Sequence, residues 1–288
     1  MILTPDKVWY DIATPYGYGG PLIENLTNQS NKGELVSAYE QAFQEYTKKN
    51  DIVSEFIRFH PIIKNAEDFK TVYELKVDRK TFGTDLTNVD PFLHDFSKSA
   101  RKEIRKLTKN YPLYFEYDEH PKHLEDFIEI YYSTMSRNVA SDEYYFDDDY
   151  FCRIIRYFPD NLITVKVFLE EKLIGMGLYF RYGNYLHAHL SGTLNEYLKY
   201  SPAYILKQAF VEYGVSHGYK LIHYGGGKTS AVDDSLAKFK QKFGRSTTFN
   251  FITGKRIWND KIYKKLNEFV GIEELGDFFP AYRQPNYK

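Results

Sequence analysis

Residues 221–243, LIHYGGGKTSAVDDSLAKFKQKF, constrain the fold more than any other stretch. They read as a short strand, a turn at Gly225, Gly226 and Gly227, and then a helix. In that helix Leu236, Phe239 and Phe243 recur at helical spacing and mark a buried face. Lys240 falls on the same face, whereas Lys238 and Lys242 are expected on the opposite side. A lysine inside an apolar stripe either snorkels to solvent or points its ammonium into a polar cavity. Glycines let backbone approach a ligand closely, which makes Gly225 and Gly226 candidates for binding.

The pattern around this unit implies an α/β protein with a mixed sheet. A Gly/Pro/Tyr loop at 12–21 precedes an amphipathic helix at 32–50, strands at 52–59 and 71–77, and a basic helix from about 91 to 110. A second series follows: a strand at 113–117, helices at 121–137 and 147–157, and strands at 162–169, 173–182 and 185–191. It closes with a helix at 202–217, a strand at 219–224, the Lys240 helix, a strand near 247–253 and a helix at 258–270. The tight connections Glu170-Glu171 and Gly183-Asn184 make the three consecutive strands an antiparallel meander. Strands interrupted by helices complete a mixed sheet.

Composition removes several function classes. A formal net charge of -1 gives no global attraction to nucleic acid or anionic membrane, so any such binding needs a local patch. The single cysteine, Cys152, allows no intramolecular disulfide and suits a reducing compartment. The N-terminus shows no signal-peptide pattern, and no window approaches the ~20 apolar residues of a membrane span. A cytoplasmic protein is the expectation.

The order of the second series resembles the GNAT acyltransferase fold, and the first resembles a shortened version of it. TPYGYGGP at 14–21, SEFIRFHP at 54–61, ARKEIRK at 100–106, TMSRN at 134–138, HLSGT at 189–193 and YGGGKTSAVDDSLAKFKQKFG at 224–244 together resemble the Fem family of peptidoglycan-bridge aminoacyltransferases. That resemblance implies two GNAT-like units, the N-terminal one partial. The expected division is 1–110 and 111–288. It also implies transfer of an amino acid from aminoacyl-tRNA to an amine of a cell-wall precursor. Within the last motif Phe239 and Lys240 match the family's phenylalanine–lysine pair, whose lysine is associated with acyl transfer. Two departures bear on tRNA use: the chain begins close to the TPYGYGG motif, and no long helical hairpin is visible.

Each candidate residue carries a structural alternative. Lys240 can donate to a developing oxyanion, a contribution of roughly 3–4 kcal/mol for a positioned donor, or lie at the rim of the core. Phe239 is either a substrate platform or core. Strict alternation puts Tyr185, His187, His189, Ser191 and Thr193 on one face of a strand. His189 is then a candidate general base with a near-neutral ordinary pKa, and His187 and Ser191 candidate contacts. The alternative is a solvent-facing strand. Two histidines without a third ligand do not make a metal site, and none is expected. Arg101, Lys102, Arg105 and Lys106 share a cationic helix face suited to polyanions: tRNA, a nucleotide diphosphate or anionic lipid at a membrane surface. Arg58 and Arg137 suit a phosphate or a structural ion pair. Tyr16 and Tyr18 flank glycines that can admit a sugar or peptide chain, or form a tight turn.

Three functions remain open on sequence. The first is Fem-type aminoacyl transfer, with aminoacyl-tRNA as a substrate and no resident cofactor. The second is acetyl transfer from acetyl-CoA to a sugar or peptide amine. The turn GTLNEYLKYSPA after strand 185–191 lacks the Arg/Gln-x-x-Gly-x-Gly/Ala pyrophosphate pattern, which counts against it. The third is a non-catalytic binding protein on the same scaffold.

Overall fold

Along the chain the elements are β1 (Ile2–Leu3), β2 (Val8–Ala13), α1 (Lys32–Lys49), β3 (Ile52–Arg58), α2 (Asn65–Asp68), β4 (Glu74–Asp85), α3 (Pro91–Asp95), α4 (Lys98–Asn110), β5 (Leu113–Asp118), α5 (Glu125–Arg137) and α6 (Asp148–Tyr157). Then come β6 (Leu162–Leu169), β7 (Lys172–Tyr182), β8 (Tyr185–Thr193), α7 (Pro202–Ser216), β9 (Leu221–Gly226), α8 (Ser235–Gln241), β10 (Thr248–Ile257) and α9 (Asp260–Phe269). The computed structural model describes residues 2–3, 7–272 and 276–284. No helix among them is long and apolar enough to cross a membrane.

The chain divides into two compact units, Met1–Arg79 with Asn250–Lys288, and Lys80–Phe249. This differs from the expected division at residue 110 in two respects. Helix α4 belongs to the second unit because Ala100, Ile104 and Leu107 pack in the same core as α7. The last segment belongs to the first unit because β10 pairs antiparallel with β3. Both units are α/β with mixed strand directions, and the fold is that of two GNAT-like units.

In the first unit β2 runs parallel to β3, with β1 antiparallel to β2. Helix α1 places Val36, Tyr39 and Phe43 against Phe69, Val72, Tyr73 and Trp258. A second cluster joins Val53 to Tyr263 and Leu266 of α9 and to Tyr282.

In the second unit the strand order is β4-β9-β8-β7-β6-β5. All neighbours are antiparallel except β8 and β9. The expected meander is therefore β6-β7-β8. Helices α4 and α7 cover one cluster, built on Ile163, Val165, Val167, Leu186, Phe210 and Tyr224. Helices α5 and α6 cover another, built on Phe127, Ile130, Phe151, Met176 and Leu178. Apolar residues thus alternate to both sides of the central strands, as a sheet covered on two faces requires. Truncating one of these fully buried side chains, for example Leu107→Ala, costs about 2–5 kcal/mol.

Two boundaries differ from the sequence reading. The basic helix is two helices. The first ends at its cap Phe96, and Ser97 starts α4, where its hydroxyl accepts from Ala100 N–H. Strand β4 continues past residue 77 to Asp85. Its polar sequence hides it, yet Thr81, Phe82 and Thr84 are buried where it pairs with β9.

Candidate functional site

Strands β8 and β9 pair in parallel at Tyr185–Leu221, Leu186–Ile222 and His187–His223. Both strands run on after that point without pairing to each other. In an α/β sheet ligands bind outside the carboxyl ends of parallel strands where neighbours part. The glycine segment and α8 stand at that end.

Strand β9 extends through Gly225 and Gly226, so these glycines are strand rather than turn. The loop that follows is held by Asp234. One carboxylate oxygen accepts from Ala237 N–H and caps α8; the other accepts from Lys228 N–H, Thr229 N–H and the Thr229 hydroxyl. Only glycine fits at 227, because a Cβ there would sit 2.4 Å from an Asp234 carboxylate oxygen. These donors hold the Asp234 carboxyl below its usual range, even against its burial.

Helix α8 then presents Lys240. Its ammonium donates to the Gly226 carbonyl at 2.8 Å. Burial pushes its pKa down to about 8, and the Asp234 charge offsets part of that shift. Lys240 therefore keeps its proton at neutral pH while lying close to losing it. Phe239 packs edge-on against Tyr204 and Phe243, with ring centroids 5.6 and 5.1 Å away, which makes it core. Lys238 is exposed as expected. Lys242 is not turned away: its ammonium donates to the Tyr204 hydroxyl at 2.9 Å.

Sequence reasoning missed Lys207. It lies on α7 among buried Ile205, Leu206, Ala209, Phe210 and Val211, and is itself buried. Its ammonium sits 4.3 Å from the Tyr224 ring centroid. Burial, and then repulsion from Lys240, lower its pKa to about 7.

The strand alternation expected over 185–193 does not run through. A bulge interrupts the β7–β8 register between Leu178 and Tyr179. As a result Ala188 packs with the α7 cluster and Leu190 with the α5 cluster, although both are even-numbered. His189 Nε2 lies 2.6 Å from the Tyr150 hydroxyl, and its ring packs near Phe180. Burial lowers its pKa to about 4, so the imidazole is neutral at physiological pH. His187 Nδ1 faces His223 Nδ1 at 3.2 Å, and His223 Nε2 meets the Thr81 hydroxyl at 2.9 Å. Ser191 is exposed. The structure thus gathers Lys240, Gly226 and Lys207, and places the histidines in separate hydrogen-bonded pairs.

Arg137 is a clasp. It donates to the Thr193 carbonyl and hydroxyl at 3.1 Å each, to the Thr134 hydroxyl and to Asn195 Oδ1. Arg101 likewise spends its guanidinium on the carbonyls of Phe92, Leu93 and Phe96 at the end of α3. Lys102, Arg105 and Lys106 remain exposed on α4, opposite buried Ala100, Ile104 and Leu107. Tyr16, Tyr18 and Arg58 belong to the first unit. There Tyr18 packs edge-on against His60 and Phe251, Arg58 donates to the Thr14 carbonyl, and Tyr16 is exposed. Among the described residues no group of three His, Cys, Asp or Glu side chains is placed to hold a metal ion.

The profile of the acetyltransferase (GNAT) domain matches residues 94–240, just over half of the chain. The chain belongs to this family. The matched region runs from α3 to Lys240 and so contains the parting strands and the lysine. No curated protein matches the sequence. Among solved structures the GNAT chain is similar to FemX, with TM-score 0.65 at 16% identity, covering 83% of this chain and 80% of that one. It is also similar to the C-terminal domain of a putative lysylphosphatidylglycerol synthetase from Agrobacterium fabrum, with TM-score 0.55 at 12% identity over 77% and 73% of the two chains. L-PGS from Bacillus licheniformis gives TM-score 0.54 at 11% identity over 78% and 74%. The protein is a GNAT-superfamily acyltransferase whose fold is like that of FemX.

Proposed function

We propose that the protein is an aminoacyltransferase of the Fem type, moving an aminoacyl group from aminoacyl-tRNA to an amine of a peptidoglycan precursor. The observation that carries this reading is Lys240. It is a protonated, half-buried ammonium at the open carboxyl end of a parallel strand pair, held by one bond to Gly226. In the reaction the acceptor nitrogen bonds to the ester carbonyl carbon. The carbon–oxygen bond to the tRNA ribose breaks, and the ribose oxygen leaves with the proton the amine gives up. Negative charge gathers on the carbonyl oxygen in between, and a fixed donor lowers that barrier more than it lowers the ground state. The exposed cations Lys102, Arg105 and Lys106 serve the phosphates of the donor or of the precursor. Structural neighbours named for FemX and for lysylphosphatidylglycerol synthesis fit an aminoacyl group as cargo.

Acetyl-CoA-dependent transfer is the second reading. A specific observation weighs against it: α7 opens with Pro202, which has no N–H, after Ser201 in the left-handed region at φ 44°. That helix start offers a pyrophosphate fewer backbone donors than a glycine turn does. The deciding experiment measures binding of CoA, tRNA and a nucleotide-linked muropeptide to the purified protein in parallel. Binding of tRNA and muropeptide without CoA is expected. Saturable CoA binding without the other two overturns the reading in favour of acetyl transfer.

A further inference from the structure

Buried Lys207 and half-buried Lys240 have more donors than protein acceptors. An ammonium offers three N–H bonds. Among the described residues Lys240 spends one on Gly226 O, and Lys207 spends none on an oxygen. Lys207 is 7% exposed and rests on the face of Tyr224, whose hydroxyl is engaged by Thr84. The carboxylate that acts on Lys240 is Asp234, whose oxygens already accept from Lys228, Thr229 and Ala237. Lys207 and Lys240 come from different helices, α7 and α8, but meet the same strand end: one ammonium rests over the Tyr224 ring and the other bonds to the Gly226 carbonyl two residues further along β9, and the two charges repel. Buried charges of one sign are costly without a compensating charge.

We propose that Lys207 and Lys240 form a two-ammonium subsite for one oxyanionic group, a carboxylate or a phosphate, of a bound ligand. The proposal rests on the reading of Lys240 as a functional lysine and extends it to a residue on another helix. It assigns Lys207 a binding role, with the Tyr224 ring fixing its position through the cation–π contact.

The subsite couples binding to protons. Lys207, at about 7, and Lys240, at about 8, both titrate far below an ordinary lysine. The other ionisable groups acting here are Asp234 on Lys240, and Asp95 and Tyr179 on Tyr224. Burial pushes the Tyr224 and Tyr179 phenols up, so both stay neutral. An anion favours two protonated lysines. Binding near pH 8 therefore takes up a proton, and affinity falls as pH rises.

The test uses the full chain and two anions whose charge is constant between pH 6.5 and 8.5, sulfate and acetate, in calorimetric titrations with buffers of different ionisation enthalpy. At least one anion is expected to bind, with proton uptake, and to bind roughly tenfold or more tightly at pH 6.5 than at pH 8.5. Lys207→Met and Lys240→Met each weaken it about tenfold or more, while Lys238→Met does not. The proposal fails if neither anion binds, if Lys207→Met binds as wild type does, or if affinity ignores pH. Should Lys207→Met not fold, the 13Cε resonance of Lys207 in the wild type gives the answer: added anion must raise its titration midpoint, and an unmoved midpoint overturns the subsite. These readouts need no turnover. Anion binding by a protein whose Lys240 variants keep full activity retains the subsite and removes the catalytic reading; the reverse pattern removes only the subsite.

Discussion

Glu55 in the first unit and Lys207 in the second are both buried ionisable side chains, 5% and 7% exposed. Glu55 is surrounded by donors. One carboxylate oxygen accepts from the Tyr73 hydroxyl and the Trp258 indole N–H, each at 3.0 Å, and Tyr73 meets the Tyr39 hydroxyl at 2.7 Å. Burial raises its pKa, and the bonds from Trp258 and Tyr73 partly offset the rise. Lys207 has an aromatic face and a neighbouring cation instead. The same kind of desolvation cost is offset in one place by hydrogen bonds and in the other by an aromatic face alone. Buried polar groups in folded proteins are nearly always hydrogen-bonded, so an ammonium with no oxygen partner in the protein is the place to look for one on a ligand. Glu55 is read as architecture, and the lysine pair as a site.

The sharpest way to break this contrast is to remove a member of each. Lys240→Ala is expected to lower kcat by roughly a hundredfold or more while moving the melting temperature little. Glu55→Gln keeps an acceptor for Tyr73 and Trp258 and is expected to leave kcat near wild type. In the wild type the rate should fall as pH rises through about 8, because the Lys240 donor is then lost. Transfer assays with the donor and acceptor identified by binding measure all three. A melted Lys240→Ala protein, or one with full activity, places Lys240 with Glu55 as architecture.

Exposed cations offer a second contrast. Lys102, Arg105 and Lys106 stand in water on α4 and carry no desolvation cost. Replacing all three with Glu is expected to weaken tRNA or nucleotide binding by about tenfold or more, with wild-type binding fading as salt rises. Stability should change little. Unchanged affinity for every polyanion makes the face a solvated helix surface only.

Opposite pH slopes form the third test. Lys207 has a folded pKa below its ordinary value, so its burial penalty is full below about pH 7 and fades as pH rises toward 10.5. Glu55 has a folded pKa above 4.5, so its penalty is absent in acid and appears as pH rises. Lys207→Met should therefore stabilise by about 1–2 kcal/mol at pH 6 and progressively less in alkali. Glu55→Gln should gain in the opposite direction. Urea midpoints across pH 4 to 10 read both, and parallel slopes would dissolve the comparison.

Periodicity and turn chemistry carried the architecture. The β6-β7-β8 meander, the α7 crossover and the Lys240 helix follow from apolar spacing and short connections. Strand β4 beyond residue 77 was not legible, because Thr81 and Thr84 are buried by partners distant in sequence. The continuous polar face on β8 failed for a similar reason: the bulge belongs to the pairing of two strands, not to either sequence. Lys207 was legible in principle. A lysine between Leu206 and the buried run Ala209, Phe210 and Val211 poses the same question as Lys240, but no glycine turn draws attention to it. That Arg101 and Arg137 bond to carbonyls is decided by tertiary proximity, which spacing does not encode.

The smallest expected effect separates satisfied from unsatisfied burial most directly. Tyr73→Phe keeps the ring packed beside Phe59 and Trp258 and deletes only the hydroxyl that links Tyr39 to Glu55. It is expected to cost about 1 kcal/mol, the usual net value of an intramolecular hydrogen bond. The cost has a second signature. Tyr73 donates to the Glu55 carboxylate and so holds its pKa down, and without it that pKa should climb further. The pH window over which Glu55 weakens the fold opens at the same unfolded-state pKa in both proteins and must then extend to higher pH in Tyr73→Phe than in wild type. In a Glu55→Gln background the window disappears, and Tyr73→Phe should lose its pH dependence while keeping a reduced cost. Lys207 has no equivalent hydroxyl to delete. If Tyr73→Phe leaves both stability and its pH profile unchanged, the hydrogen bonds around Glu55 do not offset its burial, and the distinction between the two buried groups fails at its first member.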